Sequence, residues 1–386
     1  MPIRASDRSQ DDVCRIHARR LFPGLGAAPL SDQMIEIRDG VITAIAGMHR
    51  ADAAAADARF DIIAPGFIDL QINGAGGVLF NDRPDQDGIR RIIAAARQGG
   101  TCHLLPTFIT AGGDSYRQAL AAVSVCDDPE ILGVHLEGPF LSPDRPGIHP
   151  AADIRRITEA DLDHLCGFDG RMLLTLAPEE VAPETLARLH KAGVFLFAGH
   201  SNSDSKDVEK AYKNGLLGVT HLFNACSQMT AREPGVVGAA LTHHALFAGI
   251  IADGFHVHPA SLTLAAQQME GRLFLVTDAM PSYGGDGAGF SLAGRQIDLV
   301  GGRLQSSDGT LAGAHLGLDE AVRNMVALAG VGLAQALHMA SGVPATVLRL
   351  QDRYGQISAG RAASLTCLAD DLTAEAVMVH GRLYAV

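Results

Sequence analysis

Four stretches in the second half of the chain decide how it is read. They are G-V-F-L-F-A-G-H-S (193–201), G-L-L-G-V-T-H-L-F-N-A (215–225), A-L-F-A-G-I-I-A-D-G-F-H-V (245–257) and R-L-F-L-V-T-D-A-M-P (272–281). Each is a short apolar run that ends on a polar residue of catalytic type: His200, His221, Asp253 then His256, and Asp278. Runs of four to eight Val, Ile, Leu and Phe residues read as strands buried on both faces, as in a parallel sheet. A charged or imidazole side chain at the end of such a run belongs at the strand's C-terminal mouth, not in the core. In a closed parallel α/β barrel those mouths converge on one face, where chemistry is built.

Working outward, the same alternation of strand and helix continues in both directions. F-D-I-I-A-P-G-F-I-D-L-Q-I-N-G opens the body, with Asp69, Gln71 and Asn73 on one side of a strand. Helical patterns over 86–98, 114–126, 183–192, 318–330 and 333–341 separate further strands, among them T-C-H-L-L-P-T-F-I-T, I-L-G-V-H-L-E-G-P-F and M-L-L-T-L-A-P-E. The count of strand–helix units is close to eight. A glycine-rich excursion with its own β-hairpin is expected over 284–311. The two chain ends read differently, as short alternating strands with turns at Asp39-Gly40 and His380-Gly381, and an alanine-rich linker follows the first. The expected architecture is a (β/α)8 TIM barrel over 62–349 with a small β-sandwich domain assembled from 1–61 and 350–386.

A chain of 386 residues accommodates a barrel of roughly 250 residues and an appendage. The formal net charge of −12 argues against a nucleic-acid partner and means that an anionic substrate needs a local cationic cluster. No run approaches the length needed to span a bilayer, and the first residues lack the apolar core of a signal peptide. The six cysteines are scattered without a C-x-x-C pair, which fits reduced thiols and a cytoplasmic protein.

Glu137, His200 and His221 each end a different expected strand. One carboxylate and two imidazoles suit Zn²⁺ or another borderline divalent ion and leave a position for water. The alternative is three unrelated residues hydrogen-bonded at a barrel rim. Asp278 is placed to take a proton from such a water, or else to cap the following segment. Arg232, in M-T-A-R-E-P-G, is a candidate for phosphate or carboxylate recognition, or a surface neighbour of Glu233 with no ligand. His149 and His256 could donate to a polar substrate, and His135 belongs one layer deeper in the barrel. G-A-G-G (74–77) lacks dinucleotide-binding spacing and reads as a turn, and no nucleophile elbow of the G-x-S-x-G type is present.

Taken together, P-G-F-I-D-L-Q-I-N-G-A-G-G, H-L-E-G-P-F, G-I-H-P, A-G-H-S-N-S, T-H-L-F-N-A, R-E-P-G, I-I-A-D-G-F-H-V, L-V-T-D-A and D-G-T-L-A-G resemble the N-acetylglucosamine-6-phosphate deacetylases of the amidohydrolase superfamily. The resemblance runs in order from about residue 60 to 315, and V-H-G-R-L-Y extends it to the C-terminal end. It implies metal ligands Glu137, His200 and His221, with Asp278 as general base and then acid. It implies that His256 positions the substrate and polarises its amide carbonyl, that Arg232 holds the 6-phosphate, and that Asn224, Ala225 and His149 line the sugar site. It also implies a homodimer with phosphate contacts near the subunit interface. Many amidohydrolases carry an H-x-H pair at the end of the first strand. Gln71 and Asn73 stand there in this chain, and two neutral amides are poor ligands for a second transition ion. One divalent metal per subunit is therefore expected, zinc foremost, with iron, cobalt or manganese as alternatives. The same scaffold could act on N-acetylgalactosamine 6-phosphate or another N-acyl substrate. A catalytically silent barrel is the reading of a different class, and the presence of all four of Glu137, His200, His221 and Asp278 speaks against it.

Overall fold

The structure, a computed structural model, describes residues 13–24, 27–48, 56–287 and 289–386. The alanine-rich linker expected after the first hairpin falls largely outside the described residues.

Eight parallel strands form the body: β1 (Phe67–Ile72), β2 (Thr101–Ile109), β3 (Val134–Glu137), β4 (Met172–Leu176), β5 (Phe195–Ala198), β6 (Leu216–Val219), β7 (Phe247–Ile251) and β8 (Leu273–Val276). They pair in sequence order. The ring closes where the Asp278 amide donates to the Gln71 carbonyl at 2.8 Å and Ile72 pairs in parallel with Ala279. β2 to β5 and β8 are buried along their whole length, as a sheet sandwiched between helices and its own interior requires. Helices between successive strands wrap the outside, for example Gln86–Ala96, whose Asp85 cap accepts from the Gly88 amide, and Ser205–Lys213, closed by a capping box at Asp204 and Asp207.

The chain ends build a seven-stranded sheet in the order 382–385, 374–379, 365–368, 58–65, 14–21, 30–38, 41–47. Ala58–Pro65 belongs to this sheet, pairing in parallel with Cys14–Leu21 and antiparallel with Leu365–Leu368. The strand expected to open the barrel is thus divided: up to Pro65 it serves the terminal sheet, and from Phe67 it is β1. The sheet rolls over its own core of Ile16, Ile35, Ile42, Ile63, Leu365 and Met378. Its two hairpin turns, from opposite edges, meet. A Cβ on Gly381 would lie 3.0 Å from the Gly40 Cα, and both glycines have positive φ, so neither position tolerates a side chain without movement.

The excursion after β8 is larger than a hairpin. Phe290–Leu292, Arg295–Val300, Arg303–Ser306 and Leu311–Ala314 form a four-stranded antiparallel sheet. It returns to the barrel mouth, where the Ala314 amide donates to the Asp278 carbonyl. Its inner face packs on Ile148 and Met280, which roofs the mouth. Among the described residues no disulfide joins any of the six cysteines. Among the described residues no helix is long and apolar enough to cross a membrane.

Candidate active site

The polar residues that end the strands are aimed by backbone geometry. His200, His221 and Asp278 each lie two residues beyond a barrel strand, with φ of 48°, 30° and 50°. Non-glycine residues rarely adopt this left-handed region, and such strain collects where a site needs it. Glu137 ends β3 itself, and Gly138 (φ 86°) turns the chain immediately after it. A Cβ on Gly138 would lie 2.2 Å from the Thr110 hydroxyl, so only glycine permits that turn.

These turns bring three donor atoms to one point. His221 Nε2 lies 2.8 Å and His200 Nε2 3.2 Å from Glu137 Oε1, and the two imidazole nitrogens are 3.2 Å apart. All three side chains are buried. Burial works against the Glu137 charge, yet hydrogen bonds from His200 and His221 hold it well below the usual carboxylate range. Burial likewise disfavours a charged His221, but the bond to Glu137 raises it. The donor set fits a divalent ion. The arrangement is that of basic atoms sharing protons where a cation would displace them. His200 is also oriented from behind: its Nδ1 lies 2.9 Å from the Arg145 carbonyl, which fixes Nδ1 as the protonated nitrogen and turns the Nε2 lone pair into the cluster.

Asp278 sits beside this cluster. Its Oδ1 accepts from Asn73 at 2.6 Å and from Gln71 at 3.1 Å, and Gln71 also donates to Glu137 Oε2 at 3.2 Å. The two amides therefore hold carboxylates in place. Asp278 Oδ2 has no partner among the described residues. Burial first, and the Glu137 charge second, push Asp278 up to about 6. A carboxylate in that range can both take and return a proton near neutral pH.

A cavity of about 430 Å³ opens over these groups, in the range of small-ligand sites. Asn73, Glu137, His149, His200, His221, Asn224, Ala225, His256 and Asp278 all reach its wall, so most residues singled out in the sequence come together. The His149 Nδ1 is engaged by Thr110 at 2.8 Å, and burial, with His200 close by, lowers the ring to about 3, so it is neutral. His256 is oriented by Asp253, whose Oδ2 lies 2.6 Å from Nδ1. His135 lies one layer down, bonded to Thr175 at 2.8 Å, and burial lowers it to about 4. Arg232 is not brought to this cavity. It lies exposed on its loop, where its amide bonds the Thr230 hydroxyl.

Three contributors went unread in the sequence. Asp253 reads in the sequence only as the end of an apolar run, and its i, i+3 spacing to His256 is the signal that the two form a pair. Glu179 accepts from Ser201 and Ser203 and from the Asn202 amide, bracing the turn that carries His200. Arg145 stands in the wall itself. Neither Glu179 nor Arg145 carries a local signature.

A closed parallel barrel with a buried Glu-His-His donor set and a carboxylate with a free oxygen at its mouth defines a metal-dependent hydrolase. Residues 62–384 match the amidohydrolase family, and the chain belongs to that family. It is 40% identical over 359 residues to an N-acetylgalactosamine-6-phosphate deacetylase of Shewanella sp. (strain ANA-3), covering 90% of this chain and 91% of that one. It is 33% identical over 356 residues to an N-acetylglucosamine-6-phosphate deacetylase of Vibrio furnissii, covering 89% and 88%. Among solved structures, the N-acetylglucosamine-6-phosphate deacetylase of Pasteurella multocida superposes with a TM-score of 0.91 at 29% identity, covering 97% of this chain and 100% of that one.

Proposed function

We propose that this chain hydrolyses the acetamide of N-acetylglucosamine 6-phosphate, releasing acetate and glucosamine 6-phosphate. The observation that carries the reading is the convergence of Glu137, His200 and His221 beside the free oxygen of Asp278 at the floor of one cavity. Glu137, His200 and His221 would hold one divalent ion, zinc by donor chemistry, with iron, cobalt or manganese also suited to a nitrogen–oxygen set. Such an ion supplies an acidified water and a positive charge against the developing oxyanion.

The chain's own groups then do the following. Asp278 accepts the water's proton at Oδ2, while Asn73 and Gln71 keep Oδ1 fixed. His256, whose Nδ1 is held by Asp253, turns its Nε2 edge to the substrate carbonyl oxygen, which it orients and polarises. Asp278 returns its proton to the departing amine as the C–N bond breaks. Asn224, Ala225 and His149 line the space for the sugar. Gln71 and Asn73 are spent on the two carboxylates, which supports a single ion per chain. The exposure of Arg232 fits a residue that serves a neighbouring subunit's phosphate, as a homodimer would require. A cytoplasmic location accords with a phosphorylated sugar substrate and with cysteines that form no disulfide among the described residues.

Metal analysis alongside acetate release tests the reading. It expects about one ion per chain and release that stops on chelation; metal without acetate release from this sugar would overturn the substrate. The 40% identity to an N-acetylgalactosamine-6-phosphate deacetylase favours a second reading, the 4-epimer, on the same machinery. Parallel kcat/KM values on the two epimers decide between them.

A further inference from the structure

We infer that Asp69 is a positioning residue for the proposed reaction: through Thr277 it fixes the angle at which Asp278 meets the water and the departing amine. The inference rests on the reading of Asp278 as the proton carrier. Asp69 lies on β1 two residues before Gln71, and Thr277 lies between β8 and Asp278. Both are buried, and neither lines the cavity, so they act on a substrate only through other groups.

The Asp69 carboxylate gathers donors from both strands of the barrel seam. Oδ1 accepts from the Gln71 amide at 3.1 Å and from the Thr277 amide at 3.3 Å, and Oδ2 accepts from the Thr277 hydroxyl at 2.5 Å. That hydroxyl accepts in turn from the Ala279 amide at 3.1 Å. Both chain neighbours of Asp278 are thereby tied to one carboxylate. So is Gln71, whose side chain donates to Asp278 Oδ1 and whose carbonyl takes the Asp278 amide. Asp278 itself has a φ of 50°, a conformation that persists where its surroundings over-determine it. β1 and β8 are the two ends of the strand order, so single bonds such as these hold the turn in place of a ladder.

The same device stands behind His200. There Glu179 accepts from the Ser201 and Ser203 hydroxyls and the Asn202 amide, directly after a left-handed residue. In both places a carboxylate outside the cavity wall ties hydroxyl and amide groups flanking a strained residue inside it. A seam that needed only filling would not call for an acid. Burial pushes Asp69 up to about 7, with the Thr277 hydroxyl the foremost group opposing the rise. An apolar side chain of similar shape would avoid that desolvation altogether. What the acid adds is direction: its two oxygens aim the Thr277 amide and hydroxyl, and with them the turn that carries Asp278.

The test measures kcat, KM and metal content for acetate release from the phosphorylated N-acetylhexosamine. It uses the metal-loaded wild type, Thr277→Val, Thr277→Ser, Asp69→Asn and Asp278→Asn. Thr277→Val keeps the shape and removes the hydroxyl, so kcat should fall roughly 10- to 100-fold, the effect of a misplaced reacting group. KM and metal content should stay at the wild-type level, because the cavity wall and the metal ligands are untouched. Thr277→Ser restores the hydroxyl and should recover most of kcat. Asp69→Asn keeps Oδ1 for the two amides and takes the acceptor away from the hydroxyl. It should lower kcat in the same direction, and it carries the test if Thr277→Val does not fold. Wild-type kcat in Thr277→Val and Asp69→Asn, beside an inactive Asp278→Asn, overturns the inference alone. So does a loss of metal, a KM that rises in step with the fall in kcat, or a Thr277→Ser no better than Thr277→Val, each the mark of a seam that only supports the fold. Wild-type turnover in Asp278→Asn overturns the reading of the proton carrier, and this inference with it.

Discussion

Both ends of the barrel bury histidines, and the two ends treat them differently. Where β2 begins beside the terminal sheet, His103 is completely buried and completely satisfied: Nδ1 faces the Pro129 carbonyl at 3.0 Å and Nε2 the Ser364 hydroxyl at 2.9 Å. Burial lowers it to about 3, so it is a neutral structural imidazole. At the opposite mouth, His200 and His221 turn their Nε2 atoms toward each other and toward one carboxylate oxygen. His221 Nδ1 and Asn73 Oδ1 are buried there without partners among the described residues. A buried histidine is therefore no sign of chemistry on its own. The sign is convergence of basic atoms on a point that protein atoms leave unsatisfied.

The largest expected effect falls at the mouth. Asp278→Asn removes the proton carrier while keeping an oxygen for the amides, so kcat should fall by about 10³-fold or more, within or above the usual range for a general base. Metal content should be unchanged by elemental analysis. Turnover retained above a few per cent would remove Asp278 from the proposed mechanism.

The reverse result is expected at the other end. His103→Ala leaves the Pro129 carbonyl unpaired and the Ser364 hydroxyl with only the long bond from the His380 amide, beside a new cavity, a loss of about 3 kcal/mol. The urea midpoint should drop while metal content and kcat/KM of the folded fraction persist. Loss of metal from this variant would show that the two ends are coupled and would break the comparison.

How legible each end was in the sequence follows from the same contrast. The mouth residues were readable because each is the polar terminus of an apolar strand, a local pattern that already implies the barrel and the ring of side chains. Arg145 and Glu179 were not, because their significance comes from partners brought together only by folding: Asn202, the His200 turn and the cavity wall. In the sequence, S-P-D-R-P-G reads as an ordinary charged loop. The division of the strand at Pro65 was hidden for a different reason. Residues buried in the rolled terminal sheet and residues buried in the barrel carry the same apolar pattern, and only pairing with 14–21 and 365–368 separates them.

A smaller effect sharpens the role of the amides. The Asn73 N–H favours the charged form of Asp278, so Asn73→Ala should raise the Asp278 pKa. Activity requires the carboxylate and falls as pH drops through its pKa. In the wild type this acid limb should lie at or below about 6, since a bound cation also favours the charged form. In the variant it should move to higher pH by about one unit or less. A pH–kcat/KM profile with an unmoved limb would mean that the amides only hold position.

The smallest expected effect concerns the cost of the mouth to the metal-free fold. Burial and Glu137 raise Asp278 from 3.8 to about 6, so the folded chain binds this proton more tightly than the unfolded chain does. Stability from this group is fully present below pH 3.8 and is lost as pH rises through about 6. Above that, an ionised Asp278 in the metal-free protein is a buried charge beside a second carboxylate. Asp278→Asn should therefore melt a few degrees higher than the wild type at pH 8 when both are free of metal, with the gap closing toward pH 4. Supplying the ion should erase the advantage, because its charge compensates the two carboxylates that the substitution had relieved. A melting gap that ignores both pH and metal would place the origin of the effect in packing, and the mouth would then differ from the His103 end in shape alone.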